Sequence, residues 1–228
     1  MLSITKIFSV TVNYILDFIL DDSEIMKLSR ETNLPEFINY LNNNFNQNKK
    51  KDLKGFMHLY NYESEEIKEL IWQLKFNDNY RVAFIFGFGL FKEIKEIFIK
   101  KDYASDIFYL IPIPVHKKRR RERGYNQCEW ICENIMKNIK SAGGINIEYK
   151  KNILIRKIYT AKQSRQKIRK DRLKATEDIY NINKSVEVHG KNFILIDDVY
   201  TTGATVKEAR RTLLASGANK ILILTIAH

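Results

Sequence analysis

The chain has 228 residues, a net charge of +12 at pH 7 and 44% hydrophobic residues, which is enough to bury an ordinary core and excludes a disordered or fibrous protein. Its 13 Phe and 12 Tyr stand against only 9 Gly and 3 Pro, too little turn punctuation for a many-stranded sandwich. Two cysteines exclude a disulfide framework and a four-cysteine zinc site, and they fit a reducing cytoplasm.

Ile4, Ile7, Phe8, Ile15, Phe18 and Ile19 recur at helical spacing, and Asn42 to Lys51 form a polar tract. Residues 1–52 are therefore expected to be a helical extension and linker ahead of a domain at 53–228. The apolar run Ile7 to Leu20 is broken by Asn13 and Asp17 and falls short of the ~20 residues that span a hydrocarbon layer. A secretory signal is not expected, because only Lys6 is basic and Asp21 and Asp22 follow, so the expected location is cytoplasmic.

Ile67, Leu70, Ile71 and Leu74 predict an amphipathic helix with Ser64 as its N-cap. A more apolar helix is expected from about Tyr80 to Ile99, in which Gly87 and Gly89 either permit close packing or break it. Ile107 to Ile113 reads as a strand, Lys117 to Arg123 as a basic loop of charge +5, and Cys128, Ile131, Cys132, Ile135, Met136 and Ile139 as one helical stripe. Cys128 and Cys132 on that stripe are expected to be buried thiols, and Trp72 and Trp130 to be core residues.

Gly143-Gly144 ends this unit and Asn152 to Ile155 supplies a short β-like run. Lys150 to Lys174 carries a charge of +10 with little apolar periodicity and reads as mobile. Outside these two basic segments the net charge is −3, so the basicity is local and points to a polyanionic ligand. Arg119 to Arg121 are equally open to solvation or to contact with a nucleic-acid backbone. Phe193 to Ile196 predicts a strand, Val206 to Leu214 a helix ending at Gly217, and Ile221 to Ile226 a last strand. Strands alternating with helices imply a parallel sheet covered on both faces.

The chemistry concentrates where the Phe193 strand delivers Asp197 and Asp198 at its carboxyl end and runs through Tyr200, Thr201, Thr202, Gly203, Ala204 and Thr205 into a helix. Ligands of open α/β sheets bind in that position. Amides of Tyr200 to Thr205 at a helix N-terminus can wrap a phosphate, with Gly203 allowing close approach. The two carboxylates would repel a phosphate but suit the hydroxyls of an attached sugar, so a phosphorylated ribose meets both demands. A metal-binding acid pair of the response-regulator type competes less well, because the hydroxyl residues follow the acids directly.

These residues resemble the type I phosphoribosyltransferases, whose motif for 5-phosphoribosyl-1-pyrophosphate (PRPP) is a strand, two acids and a Thr-Thr-Gly loop. More narrowly, the chain resembles the ComF/GntX family of competence-associated phosphoribosyltransferase-like proteins. The supporting residues are Tyr60 with Ile67 to Phe76, Pro112-Ile113-Pro114, the block Arg121 to Gln127, and Arg156, Thr160, Gln163 and Arg172. The resemblance implies an α/β fold with a type I phosphoribosyltransferase core, a mainly parallel sheet flanked by helices, and an N-terminal helical hood.

It further implies catalytic roles for Asp197, Asp198 and Arg123, pyrophosphate contacts from Lys117 and Arg121, and a flexible loop bearing Lys162, Arg165 and Arg169. Magnesium is expected as the partner of PRPP, not as an ion held directly by the protein. Tyr125 is open to packing or base stacking, Asn126 and Gln127 are expected to fix the loop, and His58, His116, His189 and His228 receive no catalytic role. Relatives commonly carry a four-cysteine zinc ribbon, absent from the cysteine-free residues 1–52, so zinc is not expected. Ala175 stands where relatives usually have Asn. Three functions follow as expectations: phosphoribosyl transfer from Mg-PRPP to a nitrogenous acceptor, a non-enzymatic DNA-uptake component holding single-stranded DNA, or a PRPP-sensing regulator.

Overall fold

The computed structural model describes residues 23–45, 55–157 and 179–228. In chain order its elements begin with α1 (Glu24–Glu31), α2 (Leu34–Phe45), β1 (Phe56–Tyr60), α3 (Glu65–Phe76), α4 (Tyr80–Lys101) and β2 (Phe108–Pro112). There follow α5 (Lys117–Arg123), α6 (Gln127–Ala142), β3 (Ile147–Tyr149), β4 (Leu154–Arg156), β5 (Tyr180–Ile182), β6 (Asn192–Val199), α7 (Ala204–Ala215) and β7 (Ile221–Ala227). Five strands form one sheet in the order β1-β7-β6-β2-β3, and every pairing in it is parallel. β4 and β5 form a separate antiparallel pair.

Because β6 and β7 are covered on both faces, they read as unbroken apolar runs, and every residue from Asn192 to Asp198 is buried. One apolar cluster packs α2, α3, α4 and α6 on one side, and a second packs α7 and the β4–β5 pair on the other. This is the α/β architecture, a mainly parallel sheet flanked by helices, that the alternation of apolar runs predicts. The chain leaves β6 for α7 on one face and β2 for α6 on the opposite face, so a crevice opens between the carboxyl ends of β6 and β2.

Several local expectations need correction. The basic segment Lys117–Arg123 is a short helix, N-capped by His116 and closed by Gly124 at φ 85°. α4 runs unbroken through both glycines, and Gly87 is where it meets α6: a Cβ there would lie 2.7 Å from the Asn134 Cβ. Trp72 is 47% exposed, because it sits off the α3 stripe that buries Ile67, Leu70, Ile71 and Leu74. β1, β3 and β5 are absent from the sequence reading, since none of them stands out as a contiguous apolar run of the kind that marks β2 and β6. The predicted helix over Ile4 to Ile19 and residues 158–174 of the segment Lys150 to Lys174, read as mobile, fall outside the described residues, while the start of that segment holds β4. Among the described residues no helix is long and apolar enough to cross a membrane.

Candidate functional site

β6 ends on Asp197 and Asp198 because the strand continues beyond its apolar run into the crevice. Both carboxylates are buried, at 8% and 6% exposure, instead of standing at an open rim. The Asp198 amide donates to Asp197 Oδ1 at 2.9 Å. The Lys75 ammonium, in the last turn of α3, meets Asp198 Oδ1 at 2.9 Å. Burial opposes the charge on Lys75, but Asp198 and then Asp197 outweigh it and raise its pKa. Burial together with the Asp198 charge pushes the Asp197 carboxyl up to about 7, outweighing the opposing pull of the Asp198 amide, Lys75 and Arg156.

A second set of contacts ties the acids to the block after α5. Asn126 caps α6 by accepting from the Cys128 amide at 3.0 Å, and its side-chain nitrogen donates to the Ile113 carbonyl at 3.0 Å. Gln127 then donates to Asp198 Oδ2 and accepts from Arg123, so a chain of side chains runs Arg123, Gln127, Asp198, Lys75. The Cys128 thiol donates to Asp197 Oδ1 at 3.8 Å, and burial, reinforced by both acids, holds its pKa well above the usual range. Asn126 and Gln127 thus do the fixing expected of them. Tyr125 stacks its ring flat on Trp130 at 4.0 Å, its hydroxyl donates to the Leu74 carbonyl at 2.9 Å, and it also borders the crevice.

The loop from β6 into α7 carries the other half of the site. Gly203 adopts φ 70° beneath the Tyr200 ring, where a Cβ would come within 2.2 Å of that ring. Tyr200 is wedged against Phe56 at 4.3 Å and stacked on His228 at 5.0 Å, which anchors the loop to the sheet edge. Its amide is consumed by the Ala227 carbonyl at 2.9 Å, and the Ala204 amide reaches Thr202 Oγ1 at 3.4 Å. The amides of Thr201, Thr202, Gly203 and Thr205 donate to no acceptor among the described residues, and Thr201 and Thr202 are exposed. Of the six amides from Tyr200 to Thr205, four are thereby unpaired at the start of α7.

The acids, Thr205, Arg123, Arg119, Arg156, Phe76 and Asp78 line one open cleft of about 660 Å³. Arg123 lies 5.2 Å over the Phe76 ring, and burial draws its pKa down while Asp198 opposes the shift. Lys117 and Arg121 are exposed on α5 and do not line the cleft, whereas Arg119 does. Arg120 is turned away into an ion pair with Glu129 that fixes α5 to α6. Lys162, Arg165 and Arg169 lie outside the described residues. Lys75 is the site residue that sequence reading misses, since nothing local separates it from any other lysine closing an amphipathic helix.

Cys128 Sγ and the two carboxylates lie within 4.8 Å of one another. The set suits magnesium poorly, because magnesium takes oxygen ligands, the thiol holds its proton and Lys75 already neutralises Asp198.

No family model matches the chain. It is 33% identical over 159 residues to the competence protein ComFC of Bacillus subtilis, covering 70% of this chain and 58% of that protein. The chain is thus similar to a competence protein over most of its own length. The chain is also 27% identical over 116 residues to the DNA utilization protein YhgH of Shigella flexneri, covering 50% of this chain and 46% of that one. The chain thus spans less than two thirds of the length of these curated relatives. Among solved structures, a hypoxanthine phosphoribosyltransferase from Staphylococcus aureus aligns at 17% identity and a TM-score of 0.33, covering 56% of this chain and 55% of that chain.

Proposed function

We propose that this chain, a phosphoribosyltransferase-like protein similar to the ComFC proteins, binds Mg-PRPP and transfers its phosphoribosyl group to a nitrogenous acceptor, releasing pyrophosphate. The observation that carries this reading is the junction at the end of β6, where a buried acid pair leads directly into four unpaired amides at the start of α7. The amides of Thr201, Thr202, Gly203 and Thr205 receive the 5'-phosphate, aided by the positive end of the helix. The ribose hydroxyls donate to Asp197 and Asp198, which take over as acceptors from the contacts they make in the free site. Magnesium would arrive as part of the Mg-PRPP substrate and would supply charge neutralisation for the leaving group.

In the transfer the bond from the anomeric carbon to pyrophosphate breaks, its electron pair leaving with the pyrophosphate, and a new bond to the acceptor nitrogen forms, whose N–H proton passes to water. Arg123 and Arg119 face the departing anion from the cleft wall. The acids stabilise the positive charge that develops on the sugar.

The test is thermal unfolding with Mg-PRPP, read beside pyrophosphate release over a panel of bases. At a hundredfold excess over its dissociation constant a ligand adds about 2.7 kcal/mol, which for a chain of this size raises the midpoint by about 5–10 °C. The shift is expected to require magnesium and to vanish in Asp198→Asn. An unmoved melting curve at millimolar Mg-PRPP contradicts the proposal.

A second reading is favoured by the similarity to a competence protein and a DNA utilization protein and by the cationic α5. On it, the cleft and α5 hold single-stranded DNA. It predicts oligonucleotide retention that weakens steeply with salt; no retention at low salt removes it.

A further inference from the structure

The wall of the cleft between α3 and α4 carries a carboxylate that the transfer chemistry leaves unused. Asp78 lines the same space as Asp197 and Asp198, and among the described residues its side chain has no ion-pair or hydrogen-bond partner. Its backbone adopts φ 53°, a left-handed conformation uncommon outside glycine. The turn is held from outside: the Asp78 amide donates to the Tyr125 hydroxyl at 3.2 Å, and that hydroxyl donates to the Leu74 carbonyl at 2.9 Å. Because Tyr125 is itself stacked on Trp130, α6 fixes where Asp78 stands. Two residues earlier Phe76 is 48% exposed, lines the same cleft and carries the Arg123 guanidinium 5.2 Å over its ring.

A flat apolar ring beside an unpaired acceptor is the equipment for a planar heterocycle that offers hydrogen-bond donors at its edge. We propose that Phe76 and Asp78 form the acceptor subsite, selecting a base whose edge pairs a ring N–H with an exocyclic amine, as guanine's does. This rests on the phosphoribosyl-transfer reading of the cleft and names the class of its acceptor. A carboxylate can take both donors of such an edge at once, in two charge-assisted hydrogen bonds. Uracil offers one N–H between two carbonyl oxygens that the carboxylate repels, and adenine sets its amine beside a ring nitrogen acceptor. In a purine the amidine edge lies across the ring system from the nitrogen that takes the ribosyl group. The base can therefore reach the wall while the sugar stays over the acids.

The experiment measures binding of GMP, AMP and UMP by calorimetry to the wild type and to Asp78→Asn, with Mg-PRPP titrated in parallel. Asp78→Gly, which suits the left-handed backbone, is the folding control, and circular dichroism melts check both variants. GMP is expected to bind at least tenfold more tightly than UMP, and Asp78→Asn and Asp78→Gly to bring the two within about twofold while Mg-PRPP affinity is unchanged. Phe76→Ala is expected to weaken all three nucleotides together. Equal GMP and UMP binding by the wild type, or a preference that survives in folded Asp78→Asn, overturns the subsite even if Mg-PRPP binds well. Absence of Mg-PRPP binding with the Asp78-dependent preference intact overturns the transfer reading and leaves the subsite standing.

Discussion

Burying Asp197 and Asp198 side by side at the end of β6 places like charges in a low-dielectric site; Lys75 pairs directly with Asp198, and its weaker pull on Asp197 does not offset burial there. The consequence for stability has a definite sign. An ordinary aspartate titrates near 4, whereas Asp197 is pushed up to about 7 by burial and by Asp198. Between those values the folded chain keeps a proton that the unfolded chain has lost, so this group's contribution falls as pH rises from about 4 to about 7 and is constant above that. Asp197→Asn removes the effect, since an amide oxygen can still accept from the Asp198 amide. Melts from pH 4 to pH 8 are expected to show the variant more stable than wild type at pH 8, with the difference closing toward pH 4. A constant difference across the range would count against a raised Asp197. The same substitution is expected to abolish the Mg-PRPP thermal shift, separating what the residue does for binding from what it does for the fold.

The elements that position the site differ in how readily their sequences announce them. The β6–α7 junction is legible because its apolar run, two acids and Thr-Thr-Gly loop are contiguous, and contiguity is what a sequence displays. α3 and α6 are legible through their stripes, yet the stripe hides what their polar positions do. Lys75 and Gln127 come from different helices, and their convergence on Asp198 exists only in the tertiary structure. The helical form of Lys117–Arg123 is also hidden, since six like charges in seven residues suggest solvated chain until His116 and Gly124 are seen to cap them. The glycines of α4 can be told apart only in the fold. At Gly87 a Cβ meets the Asn134 Cβ at 2.7 Å and the Ile131 carbonyl at 3.2 Å, whereas at Gly89 it meets the flexible Leu59 side chain at 3.0 Å. Gly87→Ala is expected to destabilise by about 1–3 kcal/mol through overpacking. Gly89→Ala is expected to be near neutral, because the gain in helix propensity of up to about 1 kcal/mol offsets a contact that can yield. Urea unfolding of the two variants checks this, and equal effects would mean that α4 and α6 approach differently.

Across the whole molecule the charge is unevenly held. The two basic segments carry +5 and +10 while the remainder is −3, and the first of them flanks the mouth of the cleft. A polyanionic substrate should feel this field before contact. Its association rate is expected to fall severalfold as salt rises from about 0.01 to about 0.15 M and the screening length shrinks from about 30 to about 8 Å. Stopped-flow mixing with Mg-PRPP reads the rate, and an on-rate indifferent to salt would show that the basic segments do not act on this ligand. The most direct test of the central claim is hydrogen–deuterium exchange at the loop between β6 and α7. With saturating Mg-PRPP the amides of Thr201, Thr202, Gly203 and Thr205 are predicted to slow markedly while that of Tyr200, already bonded to Ala227, changes little. Unchanged exchange at those four amides in the presence of bound Mg-PRPP would contradict the account.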